Sequence, residues 1–121
     1  MSGWNVEHTD EFEEWWNGLT EDQQEDFTAV VMLLEEHGPQ IPFPYSSGIG
    51  RSKHAHMREL RVQSGGKPLR GFYAFDPRRT AILLIGGDKT GDNRFYDKMI
   101  PIAHKLYDGY IAELRKEGLL K

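Results

Sequence analysis

Arg61, Arg70 and Lys89 are three cations that strand periodicity can gather on one surface. In the segment Met57–Val62, Leu60 and Val62 share one face of a strand, which leaves Glu59 and Arg61 on the other. In Leu69–Phe75, the residues Leu69, Tyr73 and Phe75 suit a core, and Arg70 and Phe72 point away from it. Antiparallel pairing of the two strands would set Arg61 beside Arg70 on an uncovered sheet face, with Lys89 leaving the end of the next strand. Two guanidinium groups and an ammonium converging on one concavity would bind a phosphodiester and stabilise extra charge on its phosphorus. The competing reading is a set of solvated cations with local carboxylate partners such as Glu59.

Groups able to move protons lie near this set in the chain. His54 and His56 precede the first of these strands, and imidazole titrates near neutral pH. Their spacing could also suit a metal, but no acidic or thiol ligand set accompanies them. Tyr96 follows Lys89 closely enough to reach the same place, although packing at a helix start would explain it equally. Zero cysteines exclude thiol catalysis, disulfides and Cys-based zinc sites. The loop Gly86–Gly91 lacks the spacing of a phosphate-cradling P-loop.

The elements that must position these groups can be read from periodicity. Trp4, Val6 and His8 alternate as a short first strand. Asp10 can cap a helix carrying Phe12, Trp15 and Trp16 on one side. Thr20 and Gln23 have the spacing of a capping box, and Phe27, Val30, Val31 and Leu34 follow at helical intervals up to His37-Gly38-Pro39. Residues 39–56 are rich in Pro, Gly and Ser and predict a long loop of the kind that often carries function. Three strands follow, Met57–Val62, Leu69–Phe75 and Thr80–Gly86, with turns at Gly65-Gly66 and Asp76-Pro77. Asp92 or Asn93 can cap a last helix with a stripe of Phe95, Met99, Ile102, Leu106 and Tyr110. The order β-α-α-β-β-β-α predicts a single α+β domain over residues 1–121, a small antiparallel or mixed sheet with its helices on one face.

Charge divides along the chain. The first Lys or Arg is Arg51, and residues 1–40 hold eleven of the 19 acidic side chains and none of the 15 basic ones. Residues 41–121 carry an excess of seven positive charges. The net charge of −4 therefore hides an acidic flank and a basic half suited to phosphate. A solvated acidic helix pair is the plainer account of the first half. No secretory signal and no apolar run of membrane length is visible, so a cytoplasmic protein without a membrane role is expected.

The ordered set Leu60-Arg61, then Arg70 with Phe72-Tyr73-Ala74-Phe75-Asp76, then Ile82–Ile85 leading to Lys89-Thr90, resembles the conserved half of bacterial RelE/HigB-type toxins. The resemblance spans about residues 54–114. It implies a ribosome-dependent mRNA endonuclease of a type II toxin–antitoxin module, needing neither metal nor cofactor, in which the message's 2′-hydroxyl attacks the adjacent phosphorus. By position it assigns Arg61, Arg70 and Lys89 to catalysis, His54, His56 and Tyr96 to candidate acid or base roles, and Arg51, Lys53, Arg58 and Lys67 to RNA contact. It implies as partners the ribosome, mRNA and a cognate antitoxin of helix-turn-helix type. The same scaffold resembles ParE-like gyrase inhibitors, and a protein-interaction module without activity is a third reading. Family members often carry adjacent lysines where this chain has Asp88-Lys89-Thr90, and Asp88 would offset part of the Lys89 field.

Overall fold

A computed structural model describes residues 3–50 and 56–120. The elements run β1 (Asn5–His8), α1 (Asp10–Asn17), α2 (Glu21–His37), a 3-10 turn (Gly38–Gln40), β2 (Ser46–Gly48), β3 (Arg58–Ser64), β4 (Lys67–Phe75), β5 (Thr80–Asp88) and α3 (Phe95–Lys116). The five strands form one sheet in the order β1-β5-β4-β3-β2. β1 lies parallel to β5, and the other neighbours are antiparallel. The architecture is the expected α+β fold with a mixed sheet, and it gains one short strand, β2, inside the Pro-, Gly- and Ser-rich stretch.

The helices do not share one face of the sheet as expected. α1 and α2 cover one side, where Phe12, Phe27, Val30 and Leu34 pack on Leu60, Val62, Leu69 and Tyr73. α3 covers the other, where Phe95, Ile100, Ala103 and Tyr107 pack on Phe72, Ala74, Ile82 and Leu84. The β4 alternation feeds both cores, which is why the strand is apolar at nearly every position. The face expected to be open to solvent is therefore closed over Phe72 and Arg70, both buried.

Local signals start each helix. Thr9, one residue before the expected Asp10, is the α1 N-cap; its hydroxyl accepts from the Phe12 amide at 3.0 Å and donates to the Leu84 carbonyl at 2.7 Å. Thr20 and Gln23 form the expected capping box of α2. α3 starts after Arg94, not at Asp92 or Asn93, although Asp92 accepts from the Arg94 amide and pairs with Lys98. Its buried stripe is Phe95, Ile100, Ala103, Tyr107 and Leu114, and Ile102 of the expected stripe is exposed.

Two paired glycines let the first helices sit close. Gly71 of β4 and Gly86 of β5 are cross-strand partners. A side chain at Gly71 would enter the Phe27 ring, and one at Gly86 would enter Trp15. The rings of Trp15 and Phe27 meet edge to face over this flat spot, with centroids 5.5 Å apart. Full burial of Phe27 stabilises the packing by about 2 kcal/mol. At the far end of α3, Arg78 joins Asp76 by two side-chain bonds and donates to the Tyr110 hydroxyl at 2.7 Å, latching the helix to the β4–β5 turn.

Candidate active site

β3 and β4 bring the predicted cations together by register alone. Arg61 stands directly opposite Arg70, and Arg70 stands opposite Gly87 on β5, two residues before Lys89. Like charges facing each other across a sheet repel, so the arrangement requires a counter-charge. Glu59 supplies it from the same face of β3. Its carboxylate accepts from Arg61 Nη1 at 3.3 Å, lies 3.7 Å from Arg70 Nε, and accepts from the Tyr96 hydroxyl at 2.7 Å. The alternation that paired Glu59 with Arg61 was visible in the sequence, but its place at the hub was not.

The two arginines differ in access. Arg70 is 5% exposed, and Nη1 donates to the Leu69 carbonyl at 3.0 Å. Its Nε is buried with no hydrogen-bond partner, because the 3.7 Å approach to Glu59 is too long for one. Arg61 is half-buried and shares with Arg70 an open cleft of ≈ 440 Å³ that also involves Pro44, Tyr45 and Gln63. Lys89 is half-buried, its ammonium 5.9 Å from the Tyr96 ring centroid. Asp26 of α2 also borders this cleft and accepts from the Ser64 hydroxyl at 2.6 Å, so three cations against Glu59 and Asp26 leave an excess of one positive charge. Such a site favours an anion, and its groups are held by strands and so need little reorganisation.

Tyr96 stands inside this group, its hydroxyl donating a hydrogen bond to Glu59. Burial pushes its phenol above the usual value of 10.0, and the bond to Glu59 adds to the effect. The phenol therefore stays protonated at neutral pH. Asp88 does not join the cluster. Its register partner is Leu69, on the α2 side of the sheet, and the Thr90 hydroxyl bond is the main cause holding its carboxyl below the usual range.

Other predicted residues stand elsewhere. Arg58 pairs with Tyr73 on the α2 side of the sheet, and its Nε donates to the Ser46 hydroxyl at 3.1 Å, so it lies on the opposite face from Arg61. His56 contacts the Tyr107 hydroxyl at 2.9 Å, which in turn reaches the Phe75 carbonyl. Lys89 bonds through its backbone to Pro68, at the other end of β4, about 20 Å along the strand from Phe75. Lys67 is exposed at the β3–β4 turn, close enough to Asp88 to help lower its pKa. Arg51, Lys53 and His54 lie outside the described residues. Arg61, Arg70, Lys89 and Tyr96 thus form one site, and His56 and Arg58 stand apart from it.

A mixed five-stranded sheet between an N-terminal helix pair and a C-terminal helix is a RelE-like architecture. It superposes on a mutant of the Escherichia coli toxin RelE in its free state with a TM-score of 0.58 and 10% identity, covering 77% of this chain and 90% of that one. The match to RelE in the RelE–RelB complex of Pyrococcus horikoshii has a TM-score of 0.55 and 12% identity, over 74% of this chain and 98% of that one. The chain belongs to the family described as phage derived protein Gp49-like (DUF891), whose model matches residues 14–108, and with it to the RelE/HigB-type toxins. It is 40% identical to HigB3 of Mycobacterium tuberculosis, which carries the name of a toxin, over 83% of this chain and 87% of that protein. It is 34% identical to the toxin-named HigB2 of the same organism over 92% of this chain, which spans only 56% of that longer protein. Among the described residues, no helix is long and apolar enough to cross a membrane.

Proposed function

We propose that this protein is the toxin of a type II toxin–antitoxin module and acts in the cytoplasm by cutting messenger RNA on the ribosome. The observation that carries the reading is the opposed pair Arg61 and Arg70, with one carboxylate between two guanidinium groups and Lys89 beside them. The toxin names of HigB3 and HigB2 support the toxin role. The RelB chain bound to the archaeal RelE supports a protein antitoxin as partner; the helix-turn-helix type is carried over from the resemblance to the family.

In the proposed reaction the 2′-oxygen bonds to phosphorus as the bond to the 5′-oxygen breaks, giving a 2′,3′-cyclic phosphate and a free 5′-hydroxyl. Arg61 and Lys89 hold the non-bridging oxygens, and Arg70 stands behind them, adding positive potential from a water-poor position. Tyr96 protonates the leaving 5′-oxygen, and the 2′ proton is lost to water. Electrostatic stabilisation of the phosphoryl oxygens by one such cation is worth about 10²–10³ in rate.

The test is a translating bacterial lysate given a defined mRNA and purified protein, with 5′ ends mapped. Cuts within codons that require ribosomes, and that disappear with Arg70→Ala and with the more exposed Arg61→Ala, support the nuclease. Two variants are used because Arg70 is buried and its loss can disturb packing. An intact message at high protein concentration removes this reading and turns attention to gyrase inhibition or simple binding.

A further inference from the structure

The segment between the 3-10 turn and β2 has buried ends and an exposed aromatic tip. Ile41 is 4% exposed and Ser46 1%, whereas Phe43 is 72% exposed and Tyr45 41%. Single apolar side chains at the surface are ordinary. This pair differs because its backbone is braced. The amides of Tyr45 and Ser46 both donate to the Pro42 carbonyl, at 3.0 and 3.2 Å, and the Tyr45 carbonyl accepts from the Arg61 amide at 2.8 Å. Pro42 and Pro44 flank Phe43 and restrict its backbone further.

The tip is also joined to the cationic cluster. The Arg61 guanidinium lies over the Phe43 ring, 5.5 Å from its centroid. Pro44 and Tyr45 line the same cleft as Arg61 and Arg70. With neighbouring strands about 4.8 Å apart, a path from the end of β5 across β4 and β3 to this loop covers roughly 14 Å. An extended polynucleotide laid along it would meet Lys89 and then Arg61, with the buried Arg70 behind them, before reaching the two rings. Aromatic faces beside backbone-binding cations are the composition of a platform for single-stranded nucleic acid.

We propose that Phe43 and Tyr45 form a nucleobase-stacking subsite that holds a base of single-stranded RNA next to the phosphate gripped by Arg61. The proposal rests on the phosphodiester reading of Arg61 and Arg70. Because every base has a π-face, this subsite adds affinity and positioning while remaining tolerant of sequence.

A short single-stranded RNA with one 2-aminopurine, its sugars 2′-O-methylated against cleavage, is titrated to saturation with wild type, Phe43→Leu/Tyr45→Leu and Phe43→Trp. A matched oligomer has an abasic site in place of the reporter. The wild type should quench the reporter and bind the base-bearing oligomer at least about ten-fold tighter than the abasic one. The double leucine variant, alike in circular dichroism, should lose that preference, and Phe43→Trp should keep it. Equal binding of both oligomers by wild type, or a preference that survives the double variant, overturns the subsite. Loss of antitoxin binding alone in the double variant, with RNA binding unchanged, also overturns it and assigns the loop to a protein contact. The lysate assay keeps the two readings separate: stacking without cleavage removes the nuclease, and cleavage without base preference removes the subsite.

Discussion

Tyr96 and Glu59 lie 37 residues apart in the chain and meet at 2.7 Å, the phenol donating to the carboxylate. This bond ties the first turn of α3 to the start of β3. It also fixes the one carboxylate that keeps Arg61 and Arg70 compatible as cross-strand neighbours. The charge balance of the cluster and the stability of the fold therefore pass through the same side chain. Removing Glu59 should raise the affinity for anions and weaken the fold together.

Glu59→Gln keeps the shape and an acceptor for Tyr96 but leaves the buried Arg70 charge without its counter-ion. Breaking one side of a buried pair costs about 3–5 kcal/mol when the partner charge remains. The variant should unfold at a clearly lower urea concentration than wild type. Sulfate should recover more stability in the variant than in wild type, because an anion binding only the folded state stabilises it by mass action. Equal sulfate responses would argue against an anion site beside Arg61 and Arg70.

Tyr96→Phe should lower the cleavage rate about 10²–10⁴-fold while leaving RNA binding nearly unchanged, as expected for loss of a general acid. The wild-type phenol is raised above 10.0, chiefly by burial, so it stays protonated through the neutral range. The rate limb that reports its deprotonation should therefore fall above pH 10. A limb centred near neutrality in single-turnover rates, or a Tyr96→Phe enzyme of normal rate, would assign the acid to another group.

Much of this site was legible from period-two alternation. It placed Arg61 and Arg70 on one sheet face, and the register makes them direct partners. Alternation says which residues share a face, but not what covers that face, so it leaves the position of α3 over Phe72 open. Periodicity picks out the α3 stripe by its large apolar residues. The buried face instead uses Ala103 and Tyr107, which contribute a close approach and a polar tip that hydropathy undervalues. β2 carries no sequence signal, because Ser46-Ser47-Gly48 has no apolar period and is defined by backbone pairing to β3. Arg58 is among the RNA contacts that the resemblance implies, yet parity alone sets it on the face opposite Arg61.

Alkaline stability follows from the buried phenols. Tyr73, Tyr96, Tyr107 and Tyr110 all have pKa values raised above 10.0, each chiefly by burial. In the window between the unfolded value and the raised folded values, the native state binds more protons than the unfolded chain. Their contribution is fully present below about pH 10 and is lost as pH rises through the folded values. Urea midpoints should hold up to about pH 9 and then fall steeply, with tyrosinate absorbance appearing together with unfolding. Tyrosinate appearing well before unfolding would mean that the rings are solvated.

Gly86→Ala and Gly109→Ala should change stability in opposite directions. At Gly86 the added methyl group would enter the Trp15 ring, and the partner position Gly71 is already filled by Phe27, so neither ring can slide into free space. Overpacking of this kind costs about 1–3 kcal/mol. Gly109 lies within α3 with nothing near its missing Cβ, and there alanine removes backbone freedom from the unfolded chain, stabilising the helix by about 0.5–1 kcal/mol. Urea denaturation followed by tryptophan emission measures both, and only Gly86→Ala should shift the native spectrum, because it alone moves an indole. A neutral Gly86→Ala with unchanged emission would mean that α1 docks on the sheet without needing the flat spot at Gly71 and Gly86.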